Sequence, residues 1–250
     1  MKRLGMLAVL AAFSLLGCRK KDDPVVATTG KLKVSIDNVA GTSPLSLDTT
    51  WYITEFGDSI KFTDYKYYIS NIRLTTAEGT EFVEPESYHL INHRDPASQS
   101  FEISNVPFGN YTSITFMIGV DARRNTEGAQ TGALDPIHSM FWDWNTGYIM
   151  AKLEAESPQS PNGNNKVFYH AGGFKGVNSV LRTVNLPFPQ HAKVTATGRP
   201  NAHLKCDIME WFKTPNLISV AELNLAMTPG PDLRKLADNY QDMFSVDHID

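Results

Sequence analysis

Ile114, Phe116, Ile118 and Val120 recur at every second position, and this run constrains the chain more than any other. A period of two puts all four on one side of an extended backbone; a helix would scatter them around its axis. The pattern returns at Leu32, Val34 and Ile36, which alternate with Lys33, Ser35 and Asp37. Residues 52–56, 87–92, 100–104, 148–156, 167–170, 180–186, 193–197 and 203–208 read as further strands. Residues 65–74, dense in aromatic and β-branched side chains, join them. Turn chemistry lies between the strands. Residues 38–48 hold Gly41 and Pro44, residues 77–80 suit a hairpin, Pro107-Phe108-Gly109-Asn110 suits a tight turn, and residues 158–165 are polar.

Residues 121–136 contain few apolar positions and read as a long loop, a feature often tied to function. The period changes near the end of the sequence. Leu233, Leu236, Tyr240 and Phe244 fall at helical spacing, with Asp232 as a cap after Pro231. Residues 245–250 should be extended or frayed. Many short strands plus this element predict an all-β fold: an antiparallel β-sandwich or flattened barrel with one C-terminal α-helix. No composition break divides residues 31–250, which are expected to form one domain.

Lys2 and Arg3 precede an apolar run over residues 4–16. A permanent membrane helix needs about 20 residues, so this run reads as a secretory signal. Its end, Leu15-Leu16-Gly17-Cys18, resembles the lipobox of bacterial lipoproteins. The resemblance implies a signal peptide over residues 1–17, a lipid on the Cys18 thiol that holds the protein to a membrane, and a tether over residues 18–30. Arg19 resembles an outer-membrane destination, and Lys21-Asp22-Asp23 resembles a surface-export tag. An outer-membrane lipoprotein on the periplasmic or cell-surface face is expected. With Cys18 acylated, Cys206 has no cysteine partner and should be a small buried hydrophobe.

The formal net charge is -4, with no basic footprint for nucleic acid. Gly-x-Ser-x-Gly, His-Glu-x-x-His, phosphate-binding glycine loops and Cys-x-x-Cys-His are absent, so no enzyme is expected. The chemistry concentrates at residues 138–148, which carry two of the four Trp residues. If that stretch is extended, His138, Met140, Trp142 and Trp144 share a face, a donor set suited to copper or redox chemistry. Packing of Met on indole in a core is the competing reading. Apart from His89 and His93, which would share a strand face, no two histidines have ligand spacing, so a metal site would be assembled from separate strands.

The segment 118–121, then Asn125, Gln130, Gly132, Leu134-Asp135-Pro136, Met140-Phe141-Trp142-Asp143-Trp144-Asn145-Thr146-Gly147-Tyr148 and Lys152-Leu153-Glu154 resembles the MbnP-like copper-binding protein family. Residues 67–72, Tyr88-His89-Leu90, Tyr169-His170-x-Gly172-Gly173 and residues 236–245 resemble blocks of its exported lipoprotein branch. The resemblance implies copper homeostasis beside a di-haem partner of the cytochrome-c-peroxidase kind. It further implies a Trp oxidised to kynurenine by that partner, with copper held by the new amine and His. Trp142 or Trp144 matches the modified Trp, and His89 and His170 match block His. His138 and Met140 join them from the extended-strand geometry. Copper-binding relatives carry a His in the first strand, where this chain has Ser35, Asp37 and Asn38. The alternative is a metal-free surface lipoprotein that binds a glycan or protein through aromatics such as Trp51 and Trp211.

Overall fold

The computed structural model describes residues 28–142 and 147–250. The expected signal peptide, most of the expected tether including Cys18, and Trp144 lie outside the described residues. The chain runs β1 (Thr29–Ala40), β2 (Ser43–Pro44), β3 (Tyr52–Ile53), β4 (Ser59–Thr76), β5 (Glu81–Val83), β6 (Tyr88–Asn92), β7 (Ser100–Pro107) and β8 (Gly109–Ile118). It continues through α1 (Ala122–Thr126), β9 (Ile149–Glu156), β10 (Lys166–Gly172), β11 (Arg182–Val194), β12 (Asn201–Asp207), β13 (Leu225–Ala226), α2 (Pro231–Tyr240) and β14 (Phe244–Ile249). The strands make two sheets packed together, with no closed barrel. One has the order β14-β12-β1-β2, with β7 also on β1; the other has β11-β8-β4-β9-β10-β13, with β3, β5 and β6 on β4.

The mostly-β expectation holds, but the sheets are mixed rather than antiparallel. β1 runs parallel to β12, and β10 runs parallel to β13. Each pair is separated by a long connection, so no hairpin dictates its direction. Among the described residues there are two α-helices rather than one. Inside the expected long loop, the Asp121 carboxylate accepts from the Arg123 and Arg124 amides and caps α1. Its few polar residues carry no apolar periodicity that would reveal it.

At α2 the cap is Gly230, Pro231 takes the first turn, and Asp232 lies inside the helix. The helix stops at Tyr240, and Phe244 opens β14, which pairs with β12 instead of fraying. The two strands expected at 180–186 and 193–197 are one strand, β11, whose register shifts between Pro187 and Ala192.

The core lies between the sheets. Tyr65 and Tyr67 of β4 are fully buried, at a saving of roughly 1.5–3 kcal/mol per large side chain, and each phenol finds a partner. The Tyr65 hydroxyl lies 3.3 Å from both Cys206 Sγ and Met243 Sδ; Tyr67 donates to Asn38 Oδ1 at 2.9 Å. Burial pushes the Cys206 thiol up to about 12, so Cys206 is the inert small hydrophobe its sequence position suggests. Trp211 is also fully buried, stacked on Tyr169 and tilted against Tyr240. It is therefore no part of an exposed aromatic platform.

β4 sets the geometry of the outer face. Lys66 has Asn92 of β6 on one side and Lys152 of β9 on the other. Ile69 has His89 of β6 and Ile118 of β8. β9 and β8 therefore follow one another along one edge of β4, and β6 lies along the other.

Candidate metal centre

Residues 119–142 leave the sheet at Gly119 and fold back over its outer face. Gly119 is required there. Its φ is +117°, and a Cβ would meet Leu181 Cδ2 at 2.6 Å and Met150 at 3.0 Å. The flap is sewn down by polar bonds. Tyr68 and Tyr148 hydroxyls donate to the Ala133 and Leu134 carbonyls at 3.1 and 2.8 Å, and Lys66 Nζ donates to the His138 carbonyl at 3.4 Å. Buried Asn125 accepts from the Tyr148 amide at 2.8 Å and steers the chain into β9.

The Trp block is not one extended run. Residues Pro136–His138 form a 3-10 turn, and Ser139 follows in the left-handed region at φ 58°. That turn takes His138 out of strand register with Met140, so the expected alternation fails there. Beyond it, the Ile149 amide donates to the Met140 carbonyl at 2.8 Å and the Trp142 amide to the Gly147 carbonyl at 3.0 Å, closing a hairpin. Met140 is fully buried and Trp142 is 6% exposed. The Trp142 ring lies on Gly172 of β10, where a Cβ would come within 2.3 Å of Cη2 and Cζ3. Trp142 also lines a cleft of about 180 Å³ with Gly147, Tyr148, Gly173, Phe174, Lys175 and Pro229.

His170 lies two residues before Gly172 and is buried, within a chain of charges on the outer face. Its Nε2 is 2.9 Å from Glu154 Oε1. Lys152 Nζ reaches Glu154 at 2.8 Å and Asp64 at 3.1 Å, and Lys66 reaches Asp64 at 3.7 Å. The His170 hydrogen bond, opposed by burial and reinforced by Lys152, lowers the Glu154 carboxyl to about 2. Burial works against the Lys152 ammonium, but Glu154 and Asp64 hold its pKa above the ordinary value.

His89 sits elsewhere. It pairs with Ile69 and His170 with Lys152, which pairs with Lys66. Directly opposed residues share a face, and positions three apart on one strand do not. His89 and His170 therefore leave opposite faces of the sheet. His89 Nε2 contacts Glu84 Oε2 at 2.9 Å, and its ring stacks on Phe101 at 3.7 Å. His138 Nε2 is 3.0 Å from the Gly132 carbonyl. The fold thus brings Trp142, Met140 and His170 to one region and does not gather His89, His138 and His170 around one point. These four expected donors do not fit a single copper ion.

The overall fold is shared with a known structure, and the sequence with a known family. A family model for MbnP matches residues 29–228. The chain belongs to the MbnP family. The structure is similar to MbnP from Methylosinus trichosporium, with a TM-score of 0.55 and 14% identity over 87% of this chain and 98% of that one. No curated protein matches the sequence. The MbnP family is a family of binding proteins rather than a known enzyme family. A different ligand group also emerges. His203, His248 and Asp250 each offer a ligand atom, all within 4.8 Å of one another. Sequence spacing hides this group, because His203 and His248 meet only through the β12–β14 register.

Proposed function

We propose that this member of the MbnP family is an exported, outer-membrane lipoprotein that binds copper. In this reading Cys18 carries the lipid, and a di-haem partner of the cytochrome-c-peroxidase kind oxidises Trp142 or Trp144 to kynurenine. The observation that carries the reading is the setting of Trp142. Its indole lies against Gly172, on the strand that bears His170, and it forms one wall of an open cleft. An intact indole offers only an N–H donor and is a poor ligand, so oxidation is what would give this position a metal-binding role. His89, His138, His170 and Met140 do not serve together as one ligand set, because His89 and His170 leave opposite faces of the sheet.

The test is intact mass and copper content of the native protein made with and without the haem partner. Conversion of one Trp to kynurenine together with bound copper is expected only with the partner. Unmodified Trp and no copper after co-production would overturn the reading.

One observation favours the metal-free alternative. Trp51, Ile53 and Phe56 at the β3–β4 hairpin are about half exposed or more, and Lys61 Nζ lies 5.3 Å from the Trp51 ring centroid. Such a platform suits a sugar face or a partner protein. Glycan-array binding abolished by Trp51→Ala would support this alternative.

A further inference from the structure

We propose that His203, His248 and Asp250 form a copper(II) site of this chain's own, separate from the Trp142 region. His248 and Asp250 lie beyond the residues that match the family model. The site does not depend on tryptophan oxidation.

The fold builds it from two neighbouring strands. His203 of β12 stands directly opposite His248 of β14, and their rings lie parallel with centroids 4.2 Å apart. Asp250 is held by the sheet rather than by a loose segment: its amide donates to the Asn201 carbonyl at 3.0 Å, and the Asn201 amide donates back at 3.2 Å. His203 alternates with buried Ala202 and Leu204, so the group faces solvent. The side chains of His203, His248 and Asp250 are 23%, 49% and 64% exposed, which leaves an ion a path in and room for water ligands.

Each donor is oriented for an ion. His248 Nδ1 is 2.8 Å from Asp247 Oδ2, the contact through which Nδ1 donates, and Nε2 faces Asp250 Oδ1, 3.4 Å away. A histidine whose second nitrogen donates to a carboxylate is the usual form of a metal ligand. Asn201 fixes His203 in turn. Ser35 Oγ donates to Asn201 Oδ1 at 3.0 Å, which leaves the Asn201 amide nitrogen to donate to His203 Nε2. That nitrogen also lies 2.9 Å from Asp250 Oδ2, so a bound cation would take the place of a proton shared between imidazole and carboxylate.

The setting also suits a cation. Asp247 and Asp250 flank the imidazoles, and the Lys205 ammonium pairs with Asp247. Neighbouring donors around a tetragonal copper(II) ion lie about 2.9 Å apart, given bonds near 2.0–2.1 Å. His248 and Asp250, the two exposed side chains, are the ones that would close on half-buried His203 from 4.8 Å. Two imidazoles and one carboxylate suit copper(II) and zinc, and copper(II) binds such donors more tightly.

The test uses the mature chain produced without the haem partner, its tryptophans verified as unmodified by mass, stripped with chelator and titrated with copper(II) chloride. One equivalent should bind, with nitrogen couplings from two imidazoles in the EPR spectrum. His203→Gln and His248→Gln should each weaken binding at least tenfold. Asp247→Asn should weaken it about tenfold without changing stoichiometry, because it removes the group that orients His248. His191→Gln, exposed on β11, should change nothing. Melting temperatures certify that each variant is folded. Wild-type stoichiometry and affinity in folded His203→Gln/His248→Gln protein would overturn the proposal; so would wild-type affinity in Asp247→Asn. Copper bound only after tryptophan oxidation would overturn this site and leave the proposed function standing. Copper bound here with tryptophan never oxidised would do the reverse.

Discussion

Gly172→Ala would measure how firmly Trp142 is seated. Gly172 is buried at the end of β10, opposite Ile149, and its φ lies outside the left-handed region, so an alanine meets only a steric objection. The new methyl would stand 2.3 Å from two ring carbons of Trp142 and 3.1 Å from a third. Carbon atoms in contact prefer about 3.5–4.0 Å, so the ring must retreat by roughly 1.2 Å or β10 must bow. Overpacking of this kind costs about 1–3 kcal/mol. The stiffer unfolded chain returns about 0.4–1 kcal/mol. A net loss of about 1–2 kcal/mol is expected. Trp142→Ala alone should cost about 3–5 kcal/mol by leaving a cavity. In the double variant the methyl enters vacated space, so the sum of the single losses should exceed the double by about 1–3 kcal/mol. Urea unfolding at pH 7, read as midpoint shifts at constant slope, gives all four corners of the cycle. A Gly172→Ala midpoint equal to wild type, or an additive double variant, would refute the tight seating of Trp142.

Glu154 gives a pH signature. Its carboxyl falls from an ordinary 4.5 to about 2 in the folded protein, so its contribution is complete above 4.5 and disappears as pH falls toward 2. After allowance for solvent screening this is about 1–2 kcal/mol, and Glu154→Gln should flatten the urea-midpoint profile between pH 5 and pH 3 at about that depth. Parallel profiles would rule the network out as a source of stability. Asp121→Ala removes the α1 cap and the acceptor for Asn71 and Tyr88, and should cost about 2–3 kcal/mol, with faster amide exchange at Arg123 and Arg124. Cys206 should resist iodoacetamide in native protein at pH 8 and react on unfolding; labelling of the folded chain would contradict its burial.

Period-two runs identified most strands because a half-buried strand must alternate. Ile114, Phe116 and Ile118 are buried on β8, and Leu32, Val34 and Ile36 on β1. Direction was not legible in the same way. Leu32–Ile36 reads identically whether its neighbour runs with it or against it, so the parallel β1–β12 pair left no trace in the local pattern. α1 was hidden for a different reason: five residues stabilised by one capping carboxylate need no apolar stripe. α2 was visible through Leu233, Leu236 and Tyr240, but Phe244 continues the spacing by coincidence from the following strand.

The histidines show where sequence reading must stop, because register decides what spacing cannot. His89 and His170 reach β4 at Ile69 and, through Lys152, at Lys66; the odd separation of three puts them on opposite sides. A slip of one residue in either pairing would have put them on the same side, since each step along a strand reverses the face. His203 and His248 are distant in sequence and occupy unremarkable positions, yet the β12–β14 pairing places them opposite one another on an open face. A resemblance carried by blocks such as Tyr88-His89-Leu90 and Tyr169-His170 therefore transfers the scaffold more securely than the ligands. Metal affinity in this chain follows which side chains the sheet sets opposite one another, and a relative can keep every block while changing that outcome by a single bulge.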